Sequence, residues 1–239
     1  MGKRIITQRR GRGTFTYRAH SHRSKGEIKN RMLDDKEKNG VVSGRVIGLI
    51  HCGQHSAPLA EVRFGEKEIL VPAIEGIKIN DQINAGSNAA IKEGNILQLK
   101  YIPEGTNVCN IEVSIGKPAF CRSAGSFARI ISKQHNKVLL KLPSKKERAF
   151  DENCRAAIGI VAGSGKKERP FIKAGKVHHI MRAKGKLYPK TSGVAMNAVD
   201  HPFGSGRGRH VGKPKIPPRH APPGRNIGLI RARRTGRNR

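Results

Sequence analysis

The chain has 239 residues, with 48 Lys and Arg against 17 Asp and Glu, and its formal net charge is +31 at pH 7. This charge excludes most ordinary soluble enzymes, because a compact monomer would repel itself strongly, and it favours a polyanionic partner such as nucleic acid. Hydrophobic residues make up 36% of the chain, enough for small cores, which disfavours disorder of the whole chain. The apolar runs fall short of the roughly 20 residues that span a bilayer, and residues 1–10 lack the apolar core of a secretory signal. We therefore expect a cytoplasmic protein without a membrane partner.

The charge is distributed unevenly along the chain. Residues 1–33 carry a net charge of +9, residues 40–115 carry −2, residues 116–200 carry +14 and residues 201–239 carry +11. Residues 7–24 and 201–239 are rich in Gly, Pro, Arg and His, and they have too few large apolar side chains to offset the loss of chain entropy. We expect these ends to fold only on a polyanion.

A first set of strands is predicted in the nearly neutral segment. Its short runs of Val, Ile and Leu are separated by Gly, Pro and Asn, with no long helical periodicity between them, which indicates a small barrel. Partial alternation of apolar and polar residues in the last two runs indicates one buried face. The predicted strands are residues 41–50, 59–64, 68–73, 96–102 and 108–114.

A second set of short strands follows, and then a helix. His135-Asn136-Lys137 has the composition of a hairpin turn, and Pro143 ends the strand after it. The predicted strands are residues 128–132, 138–142, 148–150 and 156–161. Apolar residues at helical spacing predict a helix over 173–184.

Three motifs suggest other functions. The glycines around Gly163-Ser-Gly165-Lys166 resemble a phosphate loop, but Ile160 stands where the first Gly is needed and Lys167 where Ser or Thr is needed, so a basic turn is favoured. Cys52-x-x-His55 could join Cys109 and Cys121 in a zinc site. However, structural zinc usually takes its ligands from two tight pairs. We therefore expect free thiols, and neither a metal nor another cofactor.

Asp200-His201 could act as an acid–base pair, with Ser192 as a nucleophile, in a hydrolase or transferase that acts on RNA. The surrounding glycines leave few apolar residues to form a dry pocket, and no nucleophile elbow is present. A structural role or an RNA contact is therefore favoured, with the enzyme as the alternative.

The two ends repeat a pattern of Arg and Lys spaced by Gly and Pro. Arg presents a planar fork to phosphate oxygens, while Gly and Pro keep the backbone thin enough to pass between nucleic-acid helices. Since no helix-turn-helix, basic zipper or finger spacing is present, folded RNA fits this pattern better than duplex DNA does. An architectural chromatin protein is the weaker alternative.

Five segments of the chain carry a resemblance to a known family. They are Arg122-Ser-Ala-Gly-Ser-Phe, Leu140-Lys-Leu-Pro-Ser, Cys154-Arg-Ala-Ala-Ile-Gly-Ile-Val, Gly193-Val-Ala-Met-Asn-Ala-Val-Asp-His-Pro-Phe-Gly and Ala232-Arg-Arg-Thr-Gly-Arg. With these segments the chain resembles the universal large-subunit ribosomal protein L-two family, in its archaeal and eukaryotic form, and the resemblance extends from Arg9 nearly to Arg239. The resemblance implies a mainly β fold, with an OB-type barrel followed by an SH3-like barrel and long extended N- and C-terminal tails. The implied divisions are a basic extension (1–37), the OB-fold domain (38–115), the SH3-like domain with a terminal short helix (116–190) and a second basic extension (191–239).

The resemblance also implies a function and its partners. Family members bind large-subunit rRNA near the peptidyl transferase region, meet other ribosomal proteins and the small subunit, and support subunit association, tRNA binding and peptide-bond formation, whose active site is RNA. No catalytic residue is therefore expected. The predicted rRNA-binding residues are Arg9, Arg10, Arg12, Arg18, Arg122, Ser123, Lys173, Lys176, Arg182, Met196, Asn197, Asp200, His201, Arg207, Arg209, Lys213, Lys215, Arg219, Arg225, Arg231, Arg233, Arg234 and Arg237.

Overall fold

The computed structural model describes residues 2–18, 20–166 and 168–230. Its contacts divide the chain into two compact units. We call residues 21–172 the β unit, and the described residues of 2–20 and 173–230 the terminal unit. No helix in these described ranges is both long and apolar enough to cross a membrane.

Twelve strands and one short helix form most of the β unit. The helix is α2 (Asp35–Asn39), and the side chain of Asp34 caps it by accepting a hydrogen bond from the Glu37 backbone N–H at 3.1 Å. The strands are β1 (Val41–Ile50), β2 (Leu59–Phe64), β3 (Lys67–Pro72), β4 (Gln82–Gly86), β5 (Ile96–Gln98), β6 (Asn107–Cys109), β7 (Ile111–Ser114), β8 (Lys117–Phe120), β9 (Ala128–Gln134), β10 (Lys137–Lys141), β11 (Glu147–Asp151) and β12 (Arg155–Ile158).

Ten of these strands form one continuous sheet, whereas the sequence predicts two separate sets. The first set is ordered β3-β2-β1-β4-β5 and the second β11-β10-β9-β6-β12, while β7 and β8 form a separate pair. Strand β6, which the sequence assigns to the first set, therefore lies in the second. The two sets meet because β12 pairs antiparallel with both β5 and β6, placing Ala156 opposite Leu97 and Ile158 opposite Val108. The hydrogen bonds between β12 and β5 therefore join the two sets into one sheet.

Two buried cores lie on opposite faces of these shared strands. Ile96 belongs to the first core, with Val46, Val62 and Phe64, whereas its neighbour Leu97 belongs to the second. Side chains alternate across a strand, so adjacent residues of β5 point into different cores. The same division occurs in β12, where Ala157 and Ala156 face the first and second cores. Both faces of the shared strands are therefore apolar.

The structure contains all nine predicted strand regions, with changes in their lengths. The predicted strand 96–102 ends early, and its second half is a 3-10 turn at Leu99–Tyr101. The predicted strand 108–114 is interrupted at Asn110, whose φ of 50° is left-handed, and this residue separates β6 from β7. The sequence pattern does not predict β4 and β8, because both lack long runs of large aliphatic residues.

A buried charge network joins the segment before β1 to the middle of the β unit. Arg155 Nη2 and Nε donate to the two carboxylate oxygens of Glu112, at 2.7 and 3.1 Å, and Arg155 Nη1 donates to Glu37 Oε1 at 2.7 Å. All three side chains are at most 1% exposed. Asn30 donates to Glu112 at 2.8 Å, and Arg31 donates to Glu37 at 2.9 Å and to Asp34. Residues 30–37 are thereby fixed to β7 and β12.

This network also affects ionisation. Burial lowers the pKa of Arg155, but its hydrogen bonds and charge contacts with Glu112 and Glu37 more than compensate and raise that pKa above its ordinary value. At the edge of the network, the hydrogen bond from Arg31 lowers the pKa of Asp34 to about 2. The guanidinium groups therefore remain charged, and both carboxylates that face Arg155 have a cationic partner.

The terminal unit has little regular structure. Its described residues include the helices α1 (Ile6–Arg10) and α3 (Ala174–Ala183) and a 3-10 turn at Gly193–Ala195, but no strand. Helix α3 agrees with the predicted helix over 173–184, whereas α1 lies partly in the segment predicted to order only on a polyanion. No residue of α3 is fully buried.

Candidate nucleic-acid interface

The terminal unit concentrates positive charge. Its described residues include 18 Lys and Arg and a single acidic residue, Asp200, whereas the β unit holds the other 16 acidic residues of the chain. Every predicted Lys and Arg contact residue in the described ranges is exposed, including Arg122 in the β unit. Exposed cations without neighbouring acids attract phosphate strongly.

The predicted contact residues lie on several local structures. Arg9 and Arg10 lie in the last turn of α1, whereas Lys176 and Arg182 lie on α3, with Lys173 at its N-cap. The structure brings three predicted residues, His201, Lys213 and Arg225, to a single groove in the terminal unit. Arg122 and Ser123 line a different groove, in the β unit.

The predicted residues of the loop 193–204 form a compact turn. Asn197 carbonyl oxygen accepts hydrogen bonds from the backbone N–H groups of Asp200 at 3.0 Å and His201 at 3.2 Å, and His201 carbonyl oxygen accepts one from Gly204 at 2.8 Å. A Cβ at Gly204 would collide with the Asn197 carbonyl, and a Cβ at Gly193 would collide with the His201 imidazole. Close backbone packing therefore requires glycine at position 204, whereas a larger residue at position 193 would displace the His201 ring.

Asp200 and His201 do not form the acid–base pair of the enzyme alternative. His201 Nδ1 accepts a hydrogen bond from the Phe203 backbone N–H at 3.0 Å, and Asp200 lies 3.8 Å from Lys3 Nζ. Burial lowers the pKa of His201, which favours the neutral ring. Since Nδ1 is an acceptor, the neutral ring carries its proton on Nε2. The carboxylate therefore does not set the tautomer of the imidazole.

The groove with His201 also contains residues that sequence analysis did not select. Lys3, Arg4 and Gln8 line it, and Lys3 donates its backbone N–H to the Val199 carbonyl at 2.8 Å. The basic pair Lys3-Arg4 is visible in the sequence, but its proximity to residues about 200 positions later is not. Arg231, Arg233, Arg234 and Arg237 lie outside the described residues.

The motifs considered for other chemistry have structural explanations. Ser164–Lys166 forms a 3-10 turn rather than the start of a long helix. Cys109 is buried in the first core, and burial raises its pKa to about 12. Among the described residues, no group of three His, Cys, Asp or Glu side chains has a geometry that could hold a metal ion.

Cys52 is in a different environment from the other thiols. It is 1% exposed, and its Sγ lies 3.1 Å from His55 Nδ1. Burial raises the pKa of Cys52, but hydrogen bonds from backbone N–H groups, first that of Lys25, and from the His55 ring outweigh burial and lower it to about 6. The folded protein therefore stabilises the thiolate.

We expect the Cys52 thiol to titrate near pH 6, well below the ordinary cysteine value of about 8.5. Ultraviolet thiolate absorbance of the folded chain, measured against Cys52→Ser, gives the midpoint. A folded pKa below the unfolded one stabilises the protein fully above the unfolded pKa, and this stabilisation is lost as the pH falls through about 6. His55→Asn should raise the midpoint, whereas a wild-type midpoint near 8.5 would contradict the prediction.

The chain is similar to known proteins over nearly its whole length. A sequence profile described as "Ribosomal Proteins L2, C-terminal domain" matches residues 92–220. The chain is 49% identical, over 241 residues, to "Large ribosomal subunit protein uL2" of Methanococcus maripaludis strain C6, covering 99% of this chain and 100% of the relative. It is 50% identical over 238 residues to the protein of the same name from Archaeoglobus fulgidus, covering 99% of both.

The chain belongs to the ribosomal protein L2 family. This membership, with archaeal relatives at 49% and 50% identity, confirms the predicted family and its archaeal form. The mainly β structure with its two strand sets, together with this membership, confirms the predicted fold class of an OB-type barrel, an SH3-like barrel and extended ends. The predicted rRNA-contact residues stay predictions.

Proposed function

We propose that this chain is a structural, rRNA-binding component of the large ribosomal subunit in the cytoplasm. The observation that carries the proposal is the separation of charge. The terminal unit holds 18 cations and one acid in its described residues, while most acids lie in the β unit. A charge distribution of this kind, in a chain of the L2 family, matches an RNA partner whose phosphates compensate the cations.

We propose that the loop 193–204 approaches the peptidyl transferase region, and that the chain supports subunit association, tRNA binding and peptide-bond formation. The compact backbone of the loop supports a packing role, because its turn is fixed by its own hydrogen bonds. Asp200 and His201 have separate partners, Lys3 and the Phe203 N–H, which disfavours the RNA-acting hydrolase or transferase. Chemistry at that centre then belongs to the RNA.

The proposed partners are large-subunit rRNA, other ribosomal proteins and the small subunit. We propose that the four predicted segments, 1–37, 38–115, 116–190 and 191–239, contribute differently to RNA binding. Residues 40–115 carry a net charge of −2, so the segment 38–115 contributes little to phosphate binding. Affinity for RNA should reside in the segment 116–190 and the two ends.

Competition between folded rRNA and duplex DNA at matched salt tests this function. The full-length chain should keep its rRNA when excess duplex DNA is added, because binding depends on RNA shape as well as charge. If about twenty cations reach phosphate, the slope of log K against log salt should be of order ten or more. Equal displacement by both competitors would instead support the chromatin protein, and turnover of RNA or aminoacyl substrates lost in His201→Ala would support the enzyme.

A further inference from the structure

The groove in the terminal unit is assembled from three segments that are distant in the sequence. Its volume is about 640 Å³, within the range of roughly 300–1,000 Å³ that is usual for small-ligand sites. Residues 2–8 form one wall, 198–202 a second, and Lys213 with 223–225 a third. The first two walls are joined by the Lys3–Val199 backbone hydrogen bond, and the Gln8 side chain lies beside Gly224. Contacts between these segments therefore hold the groove in shape.

Charge in this groove selects an anion. Four cations line it, namely Lys3, Arg4, Lys213 and Arg225, and no carboxylate is among the described lining residues. The nearest acid in the loop, Asp200, is 3.8 Å from Lys3 Nζ and can offset only one of these charges. Arg side chains bind phosphate with two parallel N–H groups, and Lys acts as a point charge. The four cations are matched by one phosphate group together with the adjacent phosphates of a nucleic-acid strand.

The rest of the lining suits a nucleobase. Ile5, Val199 and Pro202 provide apolar surface, and Gln8 presents an amide. Gln8 Oε1 accepts a hydrogen bond from the Ile5 backbone N–H at 3.1 Å, which fixes the orientation of that amide. The neutral His201 ring carries its proton on Nε2 and supplies a donor at the same groove. Apolar walls with a few oriented polar groups are what a base plane and a base edge require.

Double-stranded RNA cannot use both the cations and the apolar wall of this groove. In double-stranded RNA the bases are stacked inside and only phosphates, sugars and groove edges are presented, whereas unpaired nucleotides extend their bases outward. We propose that the terminal-unit groove binds one unpaired nucleotide of single-stranded RNA, with the cations on its phosphates and the base against the apolar wall and His201. This inference rests on the proposed RNA-binding function and names the form of RNA that this groove takes.

Filling the groove without changing its charge tests the inference. Val199→Trp keeps the backbone carbonyl that accepts from Lys3, and it places a ring where the base would lie. Using full-length protein and a labelled short single-stranded oligoribonucleotide, we expect the affinity to fall about tenfold, since one base stacked on protein contributes on that scale. Affinity for a labelled RNA duplex should stay unchanged. Ile230→Trp, at a similarly exposed position outside the groove lining, should leave both affinities unchanged.

A charge pair gives a second and independent measurement. Lys3→Ala with Arg225→Ala removes two groove cations, and Lys190→Ala with Arg219→Ala removes two exposed cations outside the groove lining. The first double variant should lose several-fold more single-strand affinity than the second, while their duplex affinities should be equal. Equal losses in the two double variants, together with wild-type single-strand affinity in Val199→Trp, would overturn the inference and leave the proposed function intact. Failure of the wild-type chain to prefer folded rRNA over duplex DNA would overturn the proposed function itself.

Discussion

Replacing Arg155 with methionine is expected to lower the free energy of unfolding of the β unit by about 3–5 kcal/mol. The substitution removes three hydrogen bonds and leaves Glu37 and Glu112 without their shared cation, although both are at most 1% exposed. An uncompensated buried carboxylate has lost its hydration without gaining a counter-charge, so most of the loss comes from the remaining partners. Urea unfolding followed by circular dichroism in the strand region measures the change.

An exposed ion pair of the same unit provides the matched control. Arg63 Nη2 lies 2.6 Å from Glu68 Oε1, but both side chains are more than half exposed. Arg63→Met should therefore change stability by less than about 1 kcal/mol, because water screens such pairs. Adding Glu112→Gln to Arg155→Met should recover part of the loss by removing the unpaired charge, because Glu37 keeps its ion pair with Arg31. Equal effects of Arg155→Met and Arg63→Met would mean that the buried network does not hold the unit together.

The predictable part of the fold was the part in which apolar residues mark strands. The runs 41–50 and 59–64 match β1 and β2 along their whole length, because Val, Ile and Leu between turn residues have few other arrangements. The strand β4 (Gln82–Gly86) is not marked in this way, since its sequence, Gln-Ile-Asn-Ala-Gly, is more polar, and pairing with β1 stabilises it as a strand. Such tertiary pairing is not visible in local sequence.

The joining of the two strand sets was also beyond local patterns. Ile96 and Leu97 are adjacent and both buried, which by itself fits either a buried helix or a strand. Strand alternation sends the two side chains to opposite faces, and the position of β12 between β5 and β6 is what gives each of those faces a core. The long-range contacts of Arg155 with Glu37 and Glu112 likewise link residues 118 and 43 positions apart. A sequence alone does not specify partners at such separations.

The residue types of the candidate site could be predicted from the sequence, but their arrangement in space could not. Composition identified the basic ends, and all fourteen predicted cations in the described ranges are exposed. The adjacency of Asp200 and His201 suggested a catalytic pair, but the turn of the loop 193–204 directs the two side chains to different partners. Lys3 and Arg4 were missed for the opposite reason, because they reach the groove only through folding against residues near the other end of the chain.

Removal of residues 201–239 is expected to abolish stable incorporation into large subunits while the β unit stays folded. The deletion removes eleven bases and no acid. It also removes His201, Lys213 and Arg225 from the groove, so the segment 2–8 loses much of its packing surface. In large subunits purified through a high-salt wash, we expect the truncated chain at less than about a tenth of the wild-type amount, since loss of many phosphate contacts weakens binding steeply with salt.

Charge and chain length can be separated by a second variant. Replacing the six described bases of this segment with glutamine keeps its length and backbone; they are Arg207, Arg209, Lys213, Lys215, Arg219 and Arg225. If phosphate contact is the cause, this variant should be lost from washed subunits nearly as completely as the truncation. Both should show the wild-type urea midpoint for the β unit, because its cores and its buried network lie within residues 21–172. Normal incorporation of the truncated chain would show that residues 201–239 are not needed for RNA affinity and would contradict the proposed role of the basic C-terminal end.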